Sequence, residues 1–153
     1  MGKDSMDSES GTGLVTLLTQ VSKALHRRTS EELLGMSLKQ FLILSHVRDR
    51  GDVSQQELAT ALLVDANAVV LLLNDLETAG YSLRRRDPAD RRRHVVEITR
   101  AGRNALERAE KARETLEDEI LAEFSPEERV TLKKLLRRVL DRLLKTTAEP
   151  VEA

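Results

Sequence analysis

Six arginines fall within ten residues of this chain, Arg84, Arg85 and Arg86 on one side of Asp87-Pro88-Ala89-Asp90 and Arg91, Arg92 and Arg93 on the other. Set against the two aspartates they leave a local excess of four positive charges, whereas the whole chain of 153 residues carries −1. Attraction to a polyanion has to come from this patch and not from the field of the whole molecule. The Asp-Pro turn chemistry, with Tyr81 before it and Val95, Val96 and Ile98 after it, predicts a β-hairpin over residues 81–99 with the arginines at its tip. A charge run alone is most often a solvated face. What precedes this one gives it a second meaning.

Two short helices are marked there by capping signals. Ser54 with Glu57 opens the first, which carries Leu58, Ala61 and Leu62; after a turn at Leu63-Val64, Asp65 opens a second that runs to about Ala79, with Gly80 beyond its end. The run AVVLLL in the second has strand-favouring residues, but its cap and glycine bracket a helix-length segment and no partner strands surround it. Two short helices, a tight turn and then a hairpin is the order of a winged helix-turn-helix. A helix of this length fits the B-DNA major groove, and an arginine-tipped ribbon can reach the flanking backbone or minor groove. The fold class expected is therefore mainly α with a small β-hairpin wing.

On the second helix Val69, Leu72, Leu73 and Leu76 share one face and are the expected core. Asp65, Ala66, Asn67, Val70, Leu71 and Asn74 lie on or near the other and are the candidate recognition residues. Val70 and Leu71 could meet thymine methyl groups, and Asn67 could pair bidentately with adenine. The alternative is that Val70 and Leu71 bury against flanking helices and the segment is only core. In the hairpin the candidates are Arg84, Arg85, Arg86, Asp90, Arg91, Arg92 and Arg93.

The rest of the chain is helical in pattern. Residues 1–12 are polar and aperiodic, the expected disordered arm. Leu14, Leu17, Leu18, Val21 and Leu25 then have the spacing of an amphipathic helix, ending near Leu34 with Gly35 as its cap. Ser37 and Gln40 form a capping box ahead of the mostly buried Phe41, Leu42, Leu44, Ser45 and Val47, and Gly51 stops that helix. Beyond the hairpin, Leu106, Ala109, Leu116 and Ile120 mark a long helix. Ser125-Pro126-Glu127-Glu128 opens a last one bearing Val130, Leu135, Leu136, Val139, Leu140, Leu143 and Leu144, with a flexible tail over 146–153.

No apolar run approaches the ~20 residues that span a bilayer and no signal-peptide pattern is present, so a cytoplasmic location without a membrane partner is expected. With Met6 in place of Ser or Thr, the Met1-Gly2 start does not match a myristoylation motif. The absence of Cys excludes disulfides, thiolate metal sites and thiol redox switching.

In DPADRRRHVVEIT the chain resembles the multiple-antibiotic-resistance regulator (MarR) family of bacterial winged-helix transcription factors. The family's wing pattern is Asp-x-Arg, five residues, an aliphatic residue and Thr, here Asp90, Arg92, Ile98 and Thr99. The resemblance extends from about Leu14 to Leu144. It implies that Arg92 enters the minor groove and that Asp90 holds it by a salt bridge, which suits narrow A·T-rich grooves. It implies one domain over 13–145, with a DNA-binding lobe at about 37–99 and dimerisation helices at about 13–34 and 101–145 that interlock in a homodimer. The broad apolar stripes of the terminal helices agree with a dimer, closure on the chain's own core being the alternative. A two-fold dimer would set its recognition helices about one DNA turn, ~34 Å, apart on a pseudo-palindromic operator.

The resemblance further implies a small, often phenolic or aromatic, anionic effector between the dimerisation helices and the DNA-binding lobe. His26 and His46 are the candidate contacts. Two departures stand out. Val70 and Leu71 replace the Ser or Thr and Arg that family members often carry, and Ser82 replaces a usual aliphatic residue beside Leu83, which leaves the facing of the first wing strand open.

Together these features describe a sequence-specific regulator of transcription that binds double-stranded DNA, most simply a ligand-responsive homodimeric repressor. The alternative is a protein-interaction module whose helical bundle and arginine-rich hairpin bind an acidic protein partner. An enzyme is not expected: there is no HExxH, P-loop or GxGxxG, and His26, His46 and His94 are not spaced as metal ligands on one helix, so no catalytic residue, metal or cofactor is assigned.

Overall fold

The computed structural model describes residues 13–29 and 31–148, so the expected arm at 1–12 and residues 149–153 of the expected tail lie outside it. Two compact units lie along the chain, the first ending at Arg113 and the second beginning at Glu114. No single described helix is long and apolar enough to cross a membrane.

The first unit begins with α1 (Leu14–Arg28) and the single turn α2 (Glu31–Leu34). The apolar spacing predicts one continuous helix to Leu34, whereas α1 ends at Arg28, with both the amide and the hydroxyl of Thr29 donating to the Leu25 carbonyl at 2.8 Å. Gly35 takes the positive φ, +75°, that only glycine adopts without strain.

Helix α3 (Leu38–Arg50) opens on the expected capping box: the Ser37 amide donates to Gln40 Oε1 at 3.0 Å and the Gln40 amide to Ser37 Oγ at 3.2 Å. Its buried residues are Phe41, Ile43, Leu44 and Val47. Leu42, expected among them, is exposed, and Ile43 fills the core in its place.

Val53 and Ser54 then form β1, a strand not anticipated from two residues that carry no alternation of their own. Ser54 also caps α4 (Gln55–Leu62), its hydroxyl accepting from the Glu57 amide at 3.1 Å. Leu58 is the buried residue of α4, while Ala61 is exposed. Helix α5 (Ala66–Thr78) and the strands β2 (Ser82–Arg86) and β3 (His94–Ile98) follow. The sheet is antiparallel in the order β1-β3-β2, with Val53 opposite Val96 and Ser82 opposite Ile98. The expected two-stranded wing thus belongs to a three-stranded sheet whose central strand buries Val95 and Val96.

The core of this unit gathers Leu34, Ile43, Leu44, Leu58, Val69, Leu73, Leu76 and Val96 with Leu106 from α6 (Arg100–Ile120). Each such side chain contributes about 1.5–3 kcal/mol on burial. Thr99 ties α6 to the hairpin: its hydroxyl donates to the Gly80 carbonyl at 2.6 Å and accepts from the Gly102 amide at 3.0 Å.

In the second unit α6 ends at Ile120, which is exposed although its place on the apolar stripe predicts burial. Helix α7 (Pro126–Ala148) opens on a capping box, Ser125 amide to Glu128 Oε1 at 3.0 Å and Glu128 amide to Ser125 Oγ at 3.1 Å. Thr146 to Ala148, expected in the flexible tail, continue the helix. Val130, Leu135, Leu136, Leu140, Leu143 and Leu144 are all exposed along α7.

Candidate nucleic-acid interface

Helices α4 and α5 meet at 113°, within the roughly 90–120° of helix-turn-helix units. The turn between them depends on Leu63, which adopts left-handed backbone angles (φ 55°, ψ 40°) while its amide closes α4 on the Ala59 carbonyl. Asp65 occupies the N-cap of α5, but its carboxylate makes no capping hydrogen bond, contrary to expectation, and it is exposed.

Val69, Leu73 and Leu76 hold α5 to the core, with Leu72 partly buried beside them. The opposite face presents Ala66, Asn67, Leu71 and Asn74 to solvent, and Val70 is half-buried at its edge. Leu71 is 65% exposed, so burial against flanking helices does not account for it.

The six arginines divide into two sets. Arg84 and Arg85 lie within β2 and not at the tip, because the strand extends to Arg86. Arg84 grips Glu77 with Nε (2.6 Å) and Nη2 (3.0 Å), and also reaches Asn74 Oδ1 (2.6 Å) and Gln55 Oε1 (3.0 Å). Arg85 pairs with Glu97 and Asp52, and the Glu97 hydrogen bond foremost raises its pKa. Arg93 pairs with Glu57 at 2.6 Å, which turns that carboxylate away from the second half of a capping box.

The second set is Arg86, Arg91 and Arg92, all exposed. Arg86 donates to the Arg91 carbonyl at 3.3 Å, and Arg92, its side chain 96% exposed, stands 3.7 Å from Asp90. Asp90 also accepts from the Arg92 amide at 3.1 Å, and Asp87 from the Ala89 amide at 2.9 Å, so both aspartates shape the tip as turn-forming side chains. The local positive excess is therefore smaller than residues 84–93 alone suggest, because acids from α4, α5, β3 and Asp52 neutralise three arginines.

Residues 36–94 match the model of the MarR family. The chain belongs to the MarR family. It is 34% identical over 109 residues to YdgJ, an HTH-type transcriptional regulator of Bacillus subtilis, covering 71% of this chain and 66% of that one. The chain spans about two thirds of the length of the curated relatives it matches at that identity. A mutant MarR from E. coli complexed with operator DNA superposes with a TM-score of 0.75 at 28% identity, covering 84% of this chain and 94% of that one. BpsR of Bordetella bronchiseptica, solved to explain regulation of its DNA binding by 6-hydroxynicotinic acid, gives 0.76 at 25% identity, covering 86% and 95%.

Within this MarR-family fold the departures noted above find their places. Ser82 faces inward at 4% exposure and Leu83 outward, so β2 keeps an inward first position but fills it with a hydroxyl. That hydroxyl has no hydrogen-bond partner among the described residues. His26 is exposed on α1. His46, half-buried on α3, lines an open groove of about 710 Å³ with Arg50, Asp52, Thr60 and Arg93. His26 does not line this groove, so the two histidines expected to border one effector cleft do not share it. Asp52, Gln55, Glu57, Glu77 and Glu97 are site residues that the sequence did not reveal as partners of the arginines, since most of them stand far from the basic runs in the chain.

Proposed function

We propose that this MarR-family regulator binds operator-type duplex DNA as a homodimer, with α5 in the major groove and the wing tip on the adjacent minor groove. The observation that carries this reading is the joint exposure of Asn67, Leu71 and Asn74 on α5 and of Arg86, Arg91 and Arg92 at the wing tip. An uncharged face suited to methyl and amide contacts lies beside a cationic tip suited to phosphate. The operator-bound relative of similar fold supports it.

In this proposal Asp65, Ala66 and Val70 border the readout surface, Asp90 orients Arg92, and Arg84, Arg85 and Arg93 brace the wing. The exposed leucines of α1 and α7 supply the dimer contact, the use to which apolar stripes on a soluble chain are suited. The simplest outcome is repression, relieved by a small aromatic anion of the kind named for BpsR. Acting on DNA, the protein would work in the cytoplasm and needs no catalytic group.

Titration of duplex DNA at several salt concentrations tests the reading. If the three tip arginines of each subunit contact phosphate, a dimer releases counterions from about six sites and log affinity falls against log salt with a slope near −5. A flat response overturns the wing assignment.

A further inference from the structure

We infer that Arg84 is a positioning residue for DNA readout: it holds the side-chain amides of Gln55 and Asn74 oxygen-inward, so that both turn their N–H donors outward to the duplex. The inference rests on the proposed DNA-binding reading and adds to it which hydrogen-bonding groups are on offer.

A guanidinium has donors and no acceptor, so any amide that bonds to it must turn its oxygen toward it. Arg84 meets Gln55 Oε1 at 3.0 Å through Nη1 and Asn74 Oδ1 at 2.6 Å through Nη2. The orientation of each amide therefore follows from the chemistry of its partner. Glu77 grips Nε and Nη2 of the same group at 2.6 and 3.0 Å, neutralising its charge and fixing its plane. One side chain thereby joins β2, the first position of α4 and the outer face of α5.

With its oxygen engaged, the NH₂ group of Asn74 is directed away from Arg84, on the exposed face of α5 one turn beyond Leu71. Bidentate reading of adenine needs an amide oxygen as well as a nitrogen. The Asn74 oxygen is turned toward Arg84 with one lone pair engaged, which disfavours that pairing. Its partner on DNA is an acceptor: a purine N7, guanine O6, thymine O4, or a phosphate oxygen. Gln55, half-buried where α4 begins, offers the same donor where a first helix crosses the backbone.

The test uses the full chain, selection of bound sequences from a random duplex library, and salt titration of the selected duplex. Arg84→Met and Asn74→Ala should each weaken binding about tenfold, the loss of one or two hydrogen bonds. The double variant should lose little more than Arg84→Met alone, and less than the sum of the two single losses, because Arg84 acts through Asn74 as well as through Gln55. The salt slope should stay at the wild-type value. Loss of preference at one operator position assigns the acceptor to a base, and uniform loss assigns it to phosphate. Arg84→Lys keeps the charge but, with three donors on one atom, cannot span four acceptor oxygens on three side chains, and it should show the same loss should Arg84→Met fail to fold.

Four results overturn the inference: additive losses, unchanged affinity in the Arg84 variants, a strict preference for adenine over guanine that Asn74→Ala abolishes, or a slope shallower by about 2 on Arg84→Met. The last would mean that Arg84 touches phosphate itself. Absence of duplex binding by the wild-type chain overturns the DNA-binding reading and this inference with it.

Discussion

Ser82 shows how one side chain can be wrong for its environment and still be kept. Its hydroxyl is buried without a partner among the described residues, opposite Ile98 in the sheet. Leaving such a group unsatisfied costs about 1–3 kcal/mol, so Ser82→Ala should stabilise the fold by about 1 kcal/mol, read as a higher midpoint in thermal or urea denaturation. Gly102 has the opposite sensitivity. A Cβ there would run into the Tyr81 carbonyl oxygen, where backbone cannot yield cheaply. Gly102→Ala should cost about 2–3 kcal/mol by overpacking, measured in the same denaturation series. At this scale the caps at Ser37 and Ser125 were legible because their signal spans three residues of sequence. The inward turn of Ser82 was not, because its facing is set by pairing with β3.

Among the elements, the wing is stiffer at its base than its composition suggests. Arg84, Arg85 and Arg93 find acids between 7 and 36 residues away in the chain, a separation no local window of charge can weigh. The position of the hairpin and its turn were readable from residues 81–99; the division of its arginines into braces and tip groups needed the fold. The two sets should separate by salt dependence. Arg92→Ala should make the slope shallower by about 2 in a dimer, while Arg85→Ala should leave it near the wild-type value, each measured by DNA titration. The α5 helix was legible through its apolar face, and Leu71 stayed outside the core as that periodicity implied. The strand β1 escaped because Ser54 reads first as a helix cap.

For the molecule as a whole, the exposed apolar faces of α1 and α7 set the expected behaviour in solution. Leu136 and Leu140 lie on the exposed face of α7. Replacing both with Lys should shift the protein from dimer to monomer in light scattering and weaken operator binding, with helical content retained in circular dichroism. A wild-type chain that is already monomeric at micromolar concentration would refute the dimer proposal. The helices themselves were visible in sequence as amphipathic stripes, but a stripe does not say which surface covers it. Ser54 carries one last consequence, for where the chain tolerates extra length. Because this residue ends β1 and caps α4, one inserted residue between Ser54 and Gln55 would break either the strand register or the cap. The exposed turn at Pro88-Ala89 has no such double duty, so a peptide tag grafted there should leave the fold intact.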